Sequence, residues 1–80
     1  MRLINSRGRV LLEVTSCVRY VRPDGSELNT LYSYTGDGCG GNTTLAGLHQ
    51  TIKAIQCDAP SAKLTGLLPN PSLPFIVVNQ

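Results

Sequence analysis

From residue 9 to residue 21 the chain alternates. Val10, Leu12, Val14, Val18 and Tyr20 share one parity, broken only by Ser16, while Arg9, Glu13, Thr15 and Arg19 share the other. A period of two marks a strand with one buried face. Thirteen residues is long for a single strand, so a bulge or bend is expected near Thr15 and Ser16. Ahead of it, RLIN at 2–5 reads as a short first strand and SRG at 6–8 as a turn.

RPDGSE, residues 22–27, reads as a hairpin turn, and the pattern selects its length. A two-residue Asp24-Gly25 loop pairs Val21 with Leu28 and Cys17 with Tyr32, scattering the apolar side chains over both faces. A three-residue Pro23-Asp24-Gly25 loop pairs Tyr20 with Leu28, Val18 with Thr30, Ser16 with Tyr32 and Val14 with Tyr34, which gathers them on one face. Proline suits the first turn position and glycine the left-handed one. The three-residue loop is therefore expected, with Gly25 left-handed.

After a glycine-rich stretch, NTTLAGLHQTIKAIQ places Leu45, Leu48, Ile52 and Ile55 at intervals of three and four. That spacing predicts a helix over about 43–56, capped by Asn42 or Thr43, with Asp58 outside it. Gly47 costs such a helix stability unless a close approach to the sheet requires it. PSAKLTGLLPNPSLP, with four prolines, reads as a surface connection spanning 58–74 within the domain, and FIVVNQ as a buried closing strand. The predicted class is α+β: a small antiparallel sheet of two or three strands plus a C-terminal strand, covered on one face by a single helix, in β(β)βαβ order. The helix is expected over Val14, Val18, Tyr20, Tyr32 and Tyr34, and residues 1–80 over one compact domain.

Composition narrows the function classes. The chain has 80 residues, 41% hydrophobic and 15% charged, with no signal-like or membrane-spanning apolar run. Three widely spaced cysteines do not make a disulfide framework, so a cytoplasmic location is expected. Charge is uneven. Arg2, Arg7, Arg9, Arg19 and Arg22 precede residue 23 against Glu13 alone, whereas the remainder carries Lys53 and Lys63 against four acids.

Several stretches invite a chemical reading. Gly36, Gly38 and Gly41 satisfy G-x-G-x-x-G, and Gly38, Gly40, Gly41 and Asn42 would offer backbone amides to an anion at a helix start. Against a nucleotide stand the hairpin context, the short chain and Asp37 within the loop. A structural turn is the preferred reading. Cys39 with His49 as base forms a nucleophilic pair only if the fold joins them. Cys17, Cys39, His49 and Cys57 lack the C-x-x-C chelate of zinc modules. No paired carboxylates serve acid–base chemistry. Neither a cofactor nor a catalytic residue is expected.

The strand–strand–helix–strand outline is shared by many small accessory proteins, antitoxin and inhibitor types of mobile elements among them, and no motif ties the chain to one. Size favours a non-enzymatic protein-binding module, an inhibitor or adaptor of a phage or other mobile element, because a small domain has room for an interface but little for a buried pocket. The expected contact residues are Arg7, Arg9, Arg19, Arg22 and Leu31, with Cys17 nearby. The alternative partner is a nucleic acid, tracked by an Arg-bearing sheet face that lacks stacking aromatics. A phosphate or nucleotide binder using 36–41 ranks third. No membrane is expected as a partner, and a homodimer is the assembly the weakly charged surface allows.

Overall fold

The computed structural model describes residues 1–71 and 75–78, and of Phe75 the backbone alone. Among the described residues six strands and one helix follow in the order β1 (Arg2–Ile4), β2 (Val10–Val21), β3 (Glu27–Gly36), β4 (Cys39–Thr43), α1 (Leu45–Asp58), β5 (Lys63–Thr65) and β6 (Phe75–Ile76). The sheet order is β4-β3-β2-β1-β5, with β6 pairing β2. The α+β class and the single helix stand as the alternation and the 3.6-residue period indicate.

The hairpin turn forms as expected. Arg22 N donates to the Ser26 carbonyl at 2.8 Å and Gly25 N to the Arg22 carbonyl at 2.9 Å, while Gly25 has φ of 88°. These bonds close a three-residue loop. Asp24 Oδ1 accepts from Ser26 N and Ser26 Oγ. That hydroxyl bond is the main reason its carboxyl titrates below the ordinary range, the backbone amide adding to it.

Above the turn the register departs from the expected one. Val21 faces Glu27, but Tyr20 faces Asn29, Val18 faces Leu31, Cys17 faces Tyr32 and Ser16 faces Ser33, until Val14 again meets Tyr34. Leu28 is an extra residue on β3 and Thr15 an extra residue on β2, so a bulge near the turn shifts the ladder by one and a second bulge restores it. The bulge at Thr15 was legible from strand length. Its partner at Leu28 was not, and the pairs Tyr20–Leu28, Val18–Thr30 and Ser16–Tyr32 do not form.

The consequence is a change of face. Leu12 and Val14 are buried on the helix side, where they cluster with Leu3, Leu48, Ile52 and Ala62. Past Thr15 the residues on that side are Cys17, Arg19 and Val21, of which Cys17 and Val21 are buried. Val18 and Tyr20 therefore lie on the outer face, away from α1, and not beneath the helix as the uninterrupted parity suggests. Tyr32 and Tyr34 do pack against the core.

The glycine-rich stretch is a second hairpin. Asp37 and Gly38 form its tip, and Cys39–Thr43 returns along β3, from Gly36↔Cys39 to Tyr32↔Thr43. Two glycines in five residues hide this strand from a propensity reading. Gly36 is demanded by packing: a Cβ there would lie 2.7 Å from both the Leu11 carbonyl oxygen and Cys39 Sγ. The helix cap lies one residue after Thr43 and two after Asn42, the expected caps. Thr44 is the N-cap, its Oγ1 accepting from Gly47 N at 3.3 Å. Gly47 answers a close approach, since a Cβ would lie 2.1 Å from Thr43 Oγ1 at the end of β4. Asp58 is the last helical residue, inside rather than outside α1.

The 58–74 connection is not wholly irregular. Lys63–Thr65 form an edge strand antiparallel to β1, and the N-terminal ammonium donates to the Leu67 carbonyl at 2.8 Å. The closing run gives a two-residue strand, parallel to β2, with Ile76 and Val78 exposed where a buried strand was expected. Its last residues, 79 and 80, lie outside the described residues.

Candidate interaction surface

The molecule measures 47 × 19 × 17 Å, with a radius of gyration of 14.5 Å against about 12 Å for a compact chain of this length. Length comes from the β2–β3 hairpin, whose far half continues beyond β1, β4 and β5. The core cluster sits at the near end, under α1.

On the outer face the hairpin presents three cross-strand rows: Ser16 with Ser33, Val18 with Leu31, and Tyr20 with Asn29. Val18, Leu31 and Tyr20 are half-buried by their sheet neighbours, and α1 lies on the other side. Ser33 Oγ is hydrogen-bonded to Asn42 Oδ1 at 2.6 Å, which ties β4 to the first row. The result is an apolar row bounded by hydroxyl and amide groups, on a strand pair held rigid by its ladder.

The arginines do not gather. Arg9 precedes β2 and forms an ion pair with Asp37 at the glycine hairpin tip, while Arg2 pairs with Glu13 at 2.8 Å. Arg7 lies in the turn after β1, where Asn5 Oδ1 accepts from Arg7 N and Arg9 N. Arg22 is at the opposite end, donating to the Glu27 carbonyl at 2.8 Å. Arg19 lies on the helix side of the far hairpin, opposite Thr30. The shared polar face expected for Arg9 and Arg19 is thus absent: Arg9 stands outside the strand, and the Thr15 bulge turns Arg19 to the helix side. Of the expected contact residues, Leu31 alone lies on the outer apolar row.

The candidate anion loop changes character as well. Gly38 is in a hairpin tip, and Gly40, Gly41 and Asn42 belong to β4, so their amides do not converge at the helix start. Asp37, at the tip of this hairpin, is engaged by Arg9. Cys39 lines a cleft of about 210 Å³ with Leu11, Asp37, Ile55, Asp58 and Ala59. His49 is not among these residues, and no hydrogen bond joins the two among the described residues. Cys17 is buried, Cys39 and Cys57 are exposed thiols, and no metal-holding cluster occurs among the described residues. A wider cleft of about 470 Å³ lies at the β1–β5 corner, lined by Ile4, Asn5, Ser6, Ser61, Lys63 and Thr65. No described helix is long and apolar enough to cross a membrane.

No protein-family model, curated protein or solved structure matches this chain.

Proposed function

We propose that the protein is a non-enzymatic binding module that engages a protein partner, as an inhibitor or adaptor, through the outer face of its long hairpin. The observation that carries this reading is the row formed by Val18 and Leu31, flanked by Tyr20, on the side of the sheet away from the helix. A soluble domain that leaves an apolar row on a rigid strand pair has a use for it in recognition. The paired and dispersed arginines give less support to a phosphate-tracking surface, which draws on several free cations along one line.

The test is affinity capture from a lysate of the source organism with wild type and two variants. Leu31→Lys should abolish capture of a protein that Arg7→Ala retains. Equal capture by all three, or capture dominated by nucleic acid, contradicts the reading.

A further inference from the structure

The cleft at the β1–β5 corner is framed by two turns that meet at one end of a strand pair. β5 runs antiparallel to β1, with Ile4 beside Lys63 and Arg2 beside Thr65. Leu3 and Leu64 occupy the opposite face, Leu3 within the core cluster under α1, so Ile4, Lys63 and Thr65 share the outer face. Asn5 and Ser6 leave the end of β1, and Ser61 leads into β5. The first turn is fixed by Asn5. Its Oδ1 accepts from Arg7 N at 3.0 Å and from Arg9 N at 2.9 Å, and its own backbone amide donates to the Arg9 carbonyl at 3.0 Å. The second is fixed by Ala62, a member of the core cluster whose N donates to the Ala59 carbonyl at 3.0 Å. The enclosed volume is about 470 Å³, within the roughly 300–1,000 Å³ of small-molecule sites.

The lining states what ligand fits. Its polar groups are the Lys63 ammonium, the hydroxyls of Ser6, Ser61 and Thr65 and the Asn5 amide, with Ile4 as the aliphatic part and no carboxylate among them. Lys63 makes no ion pair among the described residues. Asn5 Oδ1 is already used twice, which leaves Nδ2 as the end that can donate to a ligand. Arg2, beside Thr65, is held by Glu13, and Arg7 does not line the cleft. One cation in the lining matches one negative charge. A phosphate ester or a polyphosphate brings more charge than Lys63 neutralises, and charge taken from water without a partner is costly. Three hydroxyls that both donate and accept are complementary to ligand hydroxyls, which do the same.

We infer that the β1–β5 cleft binds a small hydroxylated monocarboxylate, of the hydroxy-acid or uronic-acid kind. Its carboxylate pairs with Lys63, its hydroxyls bond to Ser6, Ser61, Thr65 and the Asn5 amide, and its C–H surface lies on Ile4. The site is separate from the Val18–Leu31 row and does not depend on it.

The experiment is an amide NMR titration of the full chain with sodium glucuronate and sodium gluconate, with glucose, acetate and inorganic phosphate as further arms at matched ionic strength. At least one of the two hydroxylated acids is expected to give saturable shifts centred on Asn5, Ser6, Ser61, Lys63 and Thr65. It should bind about tenfold more tightly than glucose, the worth of one charge-assisted hydrogen bond. Lys63→Gln, at an exposed strand position, should bring that acid down to the level of glucose while the rest of the spectrum is unchanged. Ser61→Ala should weaken the acid and glucose alike. No saturable shift with either acid, shifts centred elsewhere, or a Lys63→Gln variant that binds as wild type would overturn the inference. A response to acetate or phosphate as strong as that to the hydroxylated acids would reduce Lys63 to a general counter-ion and overturn it as well.

Discussion

Val18 stands directly opposite Leu31, whereas counting outward from the three-residue turn without interruption would give it Thr30. That one-residue difference builds the outer apolar row, and it exists because Leu28 bulges from β3 near the turn.

Leu28 can be removed without changing any pair, because it is the unpaired residue of its bulge. Deleting it should leave Val21 facing Glu27 and Tyr20 facing Asn29, on a straighter and flatter edge. Bulges of this kind blunt edge strands against one another. Sedimentation velocity across a concentration series should show more self-association for the deletion variant than for wild type. Equal behaviour would mean that the bulge has no protective effect.

How far the sequence revealed this arrangement can be read at Thr15 and Cys17. The length of the 9–21 run indicates a bulge at Thr15, and one bulge reverses every face beyond it. Cys17, Arg19 and Val21 then turn inward, as they do in the structure. An unbroken parity would point Val18 and Tyr20 inward, and the Thr15 bulge breaks it. The helix was legible from Leu45, Leu48, Ile52 and Ile55, whose period needs no tertiary information. β4 was not, since Gly40 and Gly41 carry no strand preference and pair only because β3 presents an edge to them.

Gly36→Ala should be markedly destabilising. The added methyl meets Cys39 Sγ and the Leu11 carbonyl oxygen, each at 2.7 Å, and a backbone oxygen cannot swing away as a side chain can. Overpacking of this kind costs about 1–3 kcal/mol. Cys39→Ala in the same chain should recover only part of the loss, because the Leu11 contact remains. Denaturant midpoints of the three variants against wild type measure it, and full recovery would show that the thiol alone sets the constraint.

ATP, NAD and GTP at millimolar concentration should leave the melting temperature unchanged. The amides of Gly38, Gly40 and Gly41 lie along a hairpin, and Arg9 already engages the acid at its tip. A native-state ligand at about 100 times its dissociation constant adds roughly 2.7 kcal/mol, which a thermal scan detects as a rise of several degrees. Such a rise would restore the phosphate reading of this stretch.

Tyr32 gives the stability a signature at alkaline pH. Burial raises its phenol above the ordinary range, and the neighbouring Cys17 adds to the shift. A raised phenol favours the protonated form in the folded state. Its contribution is therefore complete below the unfolded tyrosine value of about 10 and is lost as pH climbs through the higher folded value. Urea unfolding of wild type and Tyr32→Phe should show the difference between them falling above that pH, with the variant the flatter. Parallel pH profiles would contradict the assignment.

The most direct test of the binding role uses a photo-crosslinking amino acid placed singly at Leu31, at Asn29 and at Lys53, the last on the exposed side of α1. Irradiation in a native lysate, followed by mass spectrometry of the adducts, reads which face a partner touches. The account predicts one discrete protein adduct shared by positions 31 and 29 and lacking at 53. An adduct formed at 53 and not at the two hairpin positions would contradict it.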